Sequence, residues 1–337
     1  MISSKLRPPD RPRITVHEDR FPLERELVAA HGGMTAAEVV YVEILEGTRR
    51  GRGEAVPYAR YGETVASVIE AIEEIAPRVE TGLVTRRNIE RELPPGAARN
   101  ALDLALWDFD AKRGETSAWQ IAALDEPHRL LTAYTLMLDT PEAMAEAARA
   151  QAHRPLLKLK LGAEGDLERV RAVREAVPRA RLIVDVNAGW TPALLEHYLP
   201  RLAEAGIELI EQPLPEAEEA ALRSIKHAVP ICADESCHTE EDLAHLAGLY
   251  DAVTIKLDKA GGFTAALALL ETALEADFRV MVGCMIASSL AVAPAVLLAQ
   301  KAHWVDLDAP LLLARDRQPG LRFDGSLIYP ASVSLWG

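Results

Sequence analysis

From Leu131 onward the chain alternates between short apolar runs and amphipathic stretches, and no other feature restricts its fold as tightly. The runs end near Leu138, Leu161, Asn187, Gln212, Glu235, Asp258, Met285 and Asp308, with a helical pattern in every gap. Gaps of similar size are what repeated βα units give, and eight such units close into a barrel in the best-known case. A doubly wound open sheet is the alternative, but it would normally carry a Gly-x-Gly-x-x-Gly turn after an early strand, and none is found.

Upstream the texture differs. Strand-like runs at 38–45 and 52–56 flank the turn signal Glu46-Gly47-Thr48 and predict an antiparallel ribbon. Val65, Val68, Ile69, Ile72 and Ile75 recur at helical spacing over 64–79, and Leu102, Leu106 and Phe109 do so over 97–113, closed by Gly114. Residues 1–120 therefore read as a small α+β domain. His31-Gly32-Gly33-Met34-Thr35 and Pro57-Tyr58-Ala59-Arg60-Tyr61-Gly62 read as loops, at the surface or folded as flaps over a site.

A net charge of −14 argues against a nucleic-acid or anionic-membrane partner, since phosphate binding draws on clustered lysine and arginine. The longest apolar stretch, 285–299, contains Ser288 and Ser289, is broken by Pro294 and is too short to span a bilayer. The first 13 residues lack the apolar core of a secretory signal. Three cysteines in 337 residues fit a reducing cytoplasm, and Cys232, Cys237 and His238 lack the second pair that a zinc site needs.

Chemistry in a barrel sits at the C-terminal ends of the strands. The third, fourth and fifth runs end in Asp185, Glu211 and Asp234, one acid each. A lone acid there is commonly a cap or a loop salt bridge, but three together repel unless a cation sits among them. Three carboxylates without histidine suit magnesium, with manganese as a substitute. Lys158 and Lys160 share one face of the second run, and Lys256 lies across the ring in the sixth. Two amines flanking a metal suit 1,1-proton transfer next to a carboxylate, the metal taking up the charge of the enediolate. Such a base must have its pKa lowered, and neighbouring cations such as Lys158 push that way. Asp306 and Asp308, two residues apart on one face, would satisfy a substrate ammonium.

Lys158-Leu159-Lys160, Asp185-Val186-Asn187, Glu211-Gln212-Pro213-Leu214, Ala233-Asp234-Glu235-Ser236 and Lys256-Leu257-Asp258-Lys259-Ala260-Gly261-Gly262 together resemble the muconate-lactonizing subgroup of the enolase superfamily. The Asp306-Leu307-Asp308 pair narrows the resemblance to dipeptide epimerases of the L-Ala-D/L-Glu type. The resemblance implies an α/β fold, a modified TIM barrel of (β/α)7β form with an N-terminal α+β capping domain. The divisions would be capping domain 1–120, barrel 121–315 and return to the capping domain 316–337.

It also implies roles. Lys160 would act on the S (L) epimer and Lys256 on the R (D) epimer, Lys158 would contact the substrate carboxylate, and Asp185, Glu211 and Asp234 would hold magnesium. Asp306 and Asp308 would bind the dipeptide's amino terminus, with Thr135, Cys284 and Ile286 lining the pocket. Where relatives carry an arginine for the substrate's glutamate side chain this chain has His31, a weaker anion partner, and Arg60 in the other loop is the candidate to compensate. The implied substrate is a dipeptide, Ala-Glu from murein turnover, and a homo-oligomer is a further implication. N-acylamino-acid racemase and o-succinylbenzoate synthase share the lysines and ligands but handle substrates without a free ammonium. A catalytically silent relative would usually have lost a base or a ligand, and all five are present.

Overall fold

The structure is a computed structural model that describes residues 11–29, 32–162 and 164–337. Its centre is an eight-stranded, all-parallel sheet whose strands follow the order of the chain. Three strands come before it: β1 (Arg13–Ala29), β2 (Gly32–Glu46) and β3 (Arg49–Ala55) form an antiparallel sheet. The short β4 (Leu130–Leu131) leads into the ring, which runs β5 (Tyr134–Leu136), β6 (Leu156–Lys160), β7 (Arg181–Asp185), β8 (Ile207–Glu211), β9 (Ile231–Ala233), β10 (Ala252–Ile255), β11 (Arg279–Gly283) and β12 (Trp304–Asp306). Its two edges meet where Ala133 N donates to the Val305 carbonyl at 2.8 Å, so the sheet closes as the βα repeat predicts. One departure concerns the connections. Between β8 and β9 the chain makes a 3₁₀ segment, Glu216–Arg223, in place of an α-helix.

The period of two along each strand decides what fills the barrel. One residue from each strand or its lead-in, namely Ala133, Leu156, Ile183, Leu209, Cys232, Ala252, Met281 and Trp304, forms a buried apolar floor. Two positions further along stand Thr135, Lys158, Asp185, Glu211, Asp234, Thr254, Gly283 and Asp306. An apolar layer thus gives way to an ionic one toward the C-terminal mouth.

The N-terminal sheet packs on helices α1 (Val65–Glu80) and α2 (Ala97–Arg113) around Val40, Val42, Ile44, Val68, Ile72 and Leu102. Thr64 caps α1 by accepting from Ser67 N, and α2 ends at Gly114, as their patterns predict. The sheet sits hard against α2 at Gly53, where a Cβ would run into the Ala101 carbonyl. The ribbon is longer than the sequence suggests: β1 pairs with β2 from Arg13↔Leu45 to Ala29↔Gly32, with a register shift between Pro22 and Leu27. Along 13–26 the side chains of β1 largely alternate between exposed and half-buried or buried positions, with Ile14, Val16, Phe21 and Leu23 turned inward. His31, expected to meet the substrate anion, lies outside the described residues.

After β12 the chain turns back along the capping sheet. Leu313 bridges to Leu23, Ala314 N donates to the Pro22 carbonyl, and Trp336 Nε1 donates to the Leu104 carbonyl. Arg317 reaches Asp19 at 2.7 Å and Glu54 at 2.6 Å. Strands β13 (Phe323–Asp324) and β14 (Leu327–Ile328) extend β4 into a small antiparallel sheet. Among the described residues no helix is long and apolar enough to cross a membrane.

Candidate active site at the barrel mouth

Asp185 ends β7, Glu211 ends β8 directly opposite it in the ladder, and Asp234 follows β9 by one residue. All three are buried. Among the described residues no group of three His, Cys, Asp or Glu side chains is placed as the ligands of a metal ion would be, and lysine ammonium groups stand against all three acids. Lys158, 2% exposed, lies 2.5 Å from Glu211 Oε2, 2.6 Å from Asp306 Oδ2 and 2.9 Å from Asp185 Oδ2. This residue, expected at the substrate carboxylate, therefore ties the acids of β7 and β8 to the acid of β12. Lys160 Nζ donates to Asp185 Oδ2 at 2.6 Å and to Asn187 Oδ1 at 3.0 Å. Lys256 Nζ donates to Asp234 Oδ2 at 2.6 Å. Because β6 and β10 are four strands apart in a ring of eight, Lys160 and Lys256 approach the mouth from opposed walls. Gly283 leaves room for the second of them, since a Cβ there would press on Lys256 Cε at 3.3 Å.

The electrostatics follow from this crowding. Burial pushes Glu211 up to about 8, and the Asp185 charge adds to it. Burial opposes ionisation of Asp185 and Asp234 as well, but Lys158 and Lys160 beside the first, and Lys256 and Lys259 beside the second, outweigh it and hold both well below the usual carboxylate range. Burial works to lower Lys158 and Lys256, yet their acid partners hold both well above the ordinary lysine value. Lys158 does depress Lys256, as the sequence suggests, but Asp234 and Glu211 prevail.

Other side chains complete the set. Asp308 accepts from Thr135 N at 2.6 Å and is pushed up to about 6, by burial first and then by Asp306. A cavity of about 300 Å³ opens between the capping sheet and the mouth, and Lys160, Lys256, Asp234 and Glu235 face it from the barrel. Cys284, Met285, Ile286 and Met137 wall it on the barrel side, and Met34, Val56, Tyr58 and Tyr61 on the capping side. Cys284 and Ile286 line it as expected, whereas Thr135, Lys158, Asp306 and Asp308 are buried without bordering it, and Arg60 does not line it. Its Nη1 lies 3.2 Å from Glu235 Oε1.

Four contributors escape sequence reading. Thr254 Oγ1 donates to Glu211 Oε1 at 2.8 Å; it shares the inward face of Lys256, two residues before it, which was the available signal. Gln212, held at φ 35°, accepts from Asp234 N at 2.8 Å and orients that loop. Lys259, 2% exposed, donates to Asp234 Oδ1 at 2.7 Å and to the Cys237 and Thr254 carbonyls. Glu235 accepts from Asn187 Nδ2 at 3.2 Å.

Residues 142–321 match the family described as Enolase C-terminal domain-like, and residues 12–122 match the Mandelate racemase / muconate lactonizing enzyme, N-terminal domain. The chain belongs to the enolase superfamily. Within it, the chain is 45% identical over 312 residues to the L-Ala-D/L-Glu epimerase of Escherichia coli (strain K12), covering 92% of this chain and 97% of that protein. It is 41% identical over 300 residues to an N-acetyl-D-glutamate racemase of a Pseudoalteromonas species, covering 89% and 95%. An enolase superfamily member from Agrobacterium tumefaciens with homology to dipeptide epimerases, crystallised with sodium and L-Ala-L-Glu, superposes with a TM-score of 0.95 at 48% identity, over 97% of this chain and 100% of that one. Other dipeptide epimerases of this fold have been solved with magnesium and a dipeptide. With these epimerases and racemases, this superfamily member is an isomerase.

Proposed function

We propose that this enzyme is a magnesium-dependent dipeptide epimerase that inverts the α-carbon of the second residue by 1,1-proton transfer, with Ala-Glu peptides of the kind released from murein as its substrates. The observation that carries this reading is the opposition of Lys160 and Lys256 across one cavity above three buried carboxylates. Lys160 removes the α-proton of the L epimer, and Lys256, which Asp234 holds as an ammonium, returns a proton to the other face. From the D epimer the roles reverse. The donor set fits a hard divalent cation: Asp185, Glu211 and Asp234 offer oxygen alone, and Glu211 Oε2, though close to Lys158, has no aligned hydrogen-bond donor. These three would hold magnesium, which when bound supplies positive charge to a carboxylate whose neighbouring carbon loses its proton.

Asp306 and Asp308 favour a substrate with a free ammonium, and Asp306 Oδ1 is buried without a donor in the described structure. The relative named for N-acetyl-D-glutamate supports a second reading, racemisation of N-acylated amino acids. One experiment separates them. Enzyme and magnesium in heavy water are given L-Ala-L-Glu or N-acetyl-glutamate, with and without a chelator. Chelator-sensitive deuterium uptake at the α-carbon of the dipeptide is expected; uptake into the N-acetyl compound alone would replace the first reading with the second.

A further inference from the structure

Glu235 sits beside Asp234, 3% exposed, at an end of the barrel already crowded with acids. Its Oε1 accepts from two donors on different parts of the fold, Asn187 Nδ2 after β7 and Arg60 Nη1 in the capping loop, each at 3.2 Å. Asn187 in turn offers Oδ1 to Lys160 Nζ at 3.0 Å. The amide has one workable orientation. An ammonium only donates, so it must meet Oδ1, and a carboxylate only accepts, so it must meet Nδ2. The backbone of Asn187 is fixed as well, with φ at 48° and its N–H donating to Asp185 Oδ1 at 3.1 Å. Lys256 has a separate anchorage on Asp234.

We propose that Glu235 is a positioning residue for the Lys160 base, acting through the Asn187 amide, and that Arg60 couples this alignment to the seating of the capping loop. The proposal rests on the two-lysine epimerase reading. A proton-abstracting amine must point its lone pair at the α-carbon, which leaves its N–H groups to be fixed by acceptors; for Lys160 these are Asp185 Oδ2 and Asn187 Oδ1. Without Glu235 the Asn187 Nδ2 group loses the acceptor at 3.2 Å that matches the orientation presenting Oδ1 to Lys160, and that orientation is less strongly fixed. Because the chain of contacts ends at one of the two bases, its loss has a direction.

The test measures initial loss of the α-hydrogen in heavy water for the magnesium-loaded wild type, Glu235→Ala, Glu235→Gln and Arg60→Ala. L-Ala-L-Glu and L-Ala-D-Glu are supplied separately. Loss from the L epimer reports Lys160 and loss from the D epimer reports Lys256, so their ratio is independent of how much protein is folded. Glu235→Ala is expected to lower the L-to-D ratio by about tenfold, a fraction of the roughly hundredfold loss that a full 1 Å misplacement brings. Glu235→Gln, which keeps an acceptor for Asn187, should restore most of it, and Arg60→Ala should lower it by a smaller factor. An unchanged ratio in Glu235→Ala overturns the proposal, as does a ratio that Glu235→Gln does not recover. A wild type that exchanges neither epimer contradicts the epimerase reading itself.

Discussion

Glu211 shows at the scale of one residue how the ionic layer is held. One carboxylate oxygen takes the Thr254 hydroxyl, and the other lies 2.5 Å from Lys158 without an aligned hydrogen bond. Replacing Thr254 with valine keeps the shape and removes the donor, which leaves a buried acceptor unpaired. The expected loss of stability is about 1–3 kcal/mol, read from the midpoint of urea unfolding at constant slope. No loss would mean that the hydroxyl is replaceable there. The acids and lysines of this layer were legible because they end apolar runs and share a period of two. Thr254, Gln212, Lys259 and Glu235 were not, because each takes its role from a partner far away in sequence, from 22 to 48 positions off.

Helix α2 joins the two halves at the scale of an element. Its Asp103 accepts from Thr264 N at 2.9 Å and Thr264 Oγ1 at 2.7 Å, on the barrel helix Phe263–Glu275, and burial pushes it from the ordinary 3.8 up to about 6. A raised acid contributes stability that is present below the unfolded value and lost as pH rises through the folded one. Between pH 4 and 6 the wild type should therefore lose stability relative to Asp103→Asn, by on the order of 3 kcal/mol, measured by denaturation at each pH. The opposite slope would place the carboxylate among better donors than Thr264. Both α1 and α2 were readable from apolar spacing and end signals. Strand β1 was not: Ile14 and Val16, and then Phe21 and Leu23, do alternate, but the polar residues at 17–20 break the pattern between the two pairs, and the pairing with β2 comes from the hairpin as a unit.

At the scale of the whole molecule the return of the chain from β12 ties the barrel to the cap. Arg317 meets Glu54 of β3, which is fully buried and accepts from Ser288 N and Oγ as well, and it lies over the rings of Phe21 and Tyr41. Burial raises Glu54, and Arg317 works against that rise. Removing the guanidinium strands a buried carboxylate, so Arg317→Ala should destabilise the protein by about 3–5 kcal/mol in equilibrium unfolding. The double change Arg317→Met with Glu54→Gln should recover part of this loss. The closed ring was predictable from the βα repeat, whereas this clasp depends on residues 263 positions apart and on no local pattern.

The most direct measurement of the central claim uses Lys160→Ala and Lys256→Ala with each epimer of Ala-Glu in heavy water. Loss of the α-hydrogen from the L epimer should fall at least about 100-fold in Lys160→Ala while the D epimer keeps exchanging, and Lys256→Ala should show the mirror image. Equal loss from both epimers in either variant, or normal exchange of the L epimer without Lys160, would contradict the account.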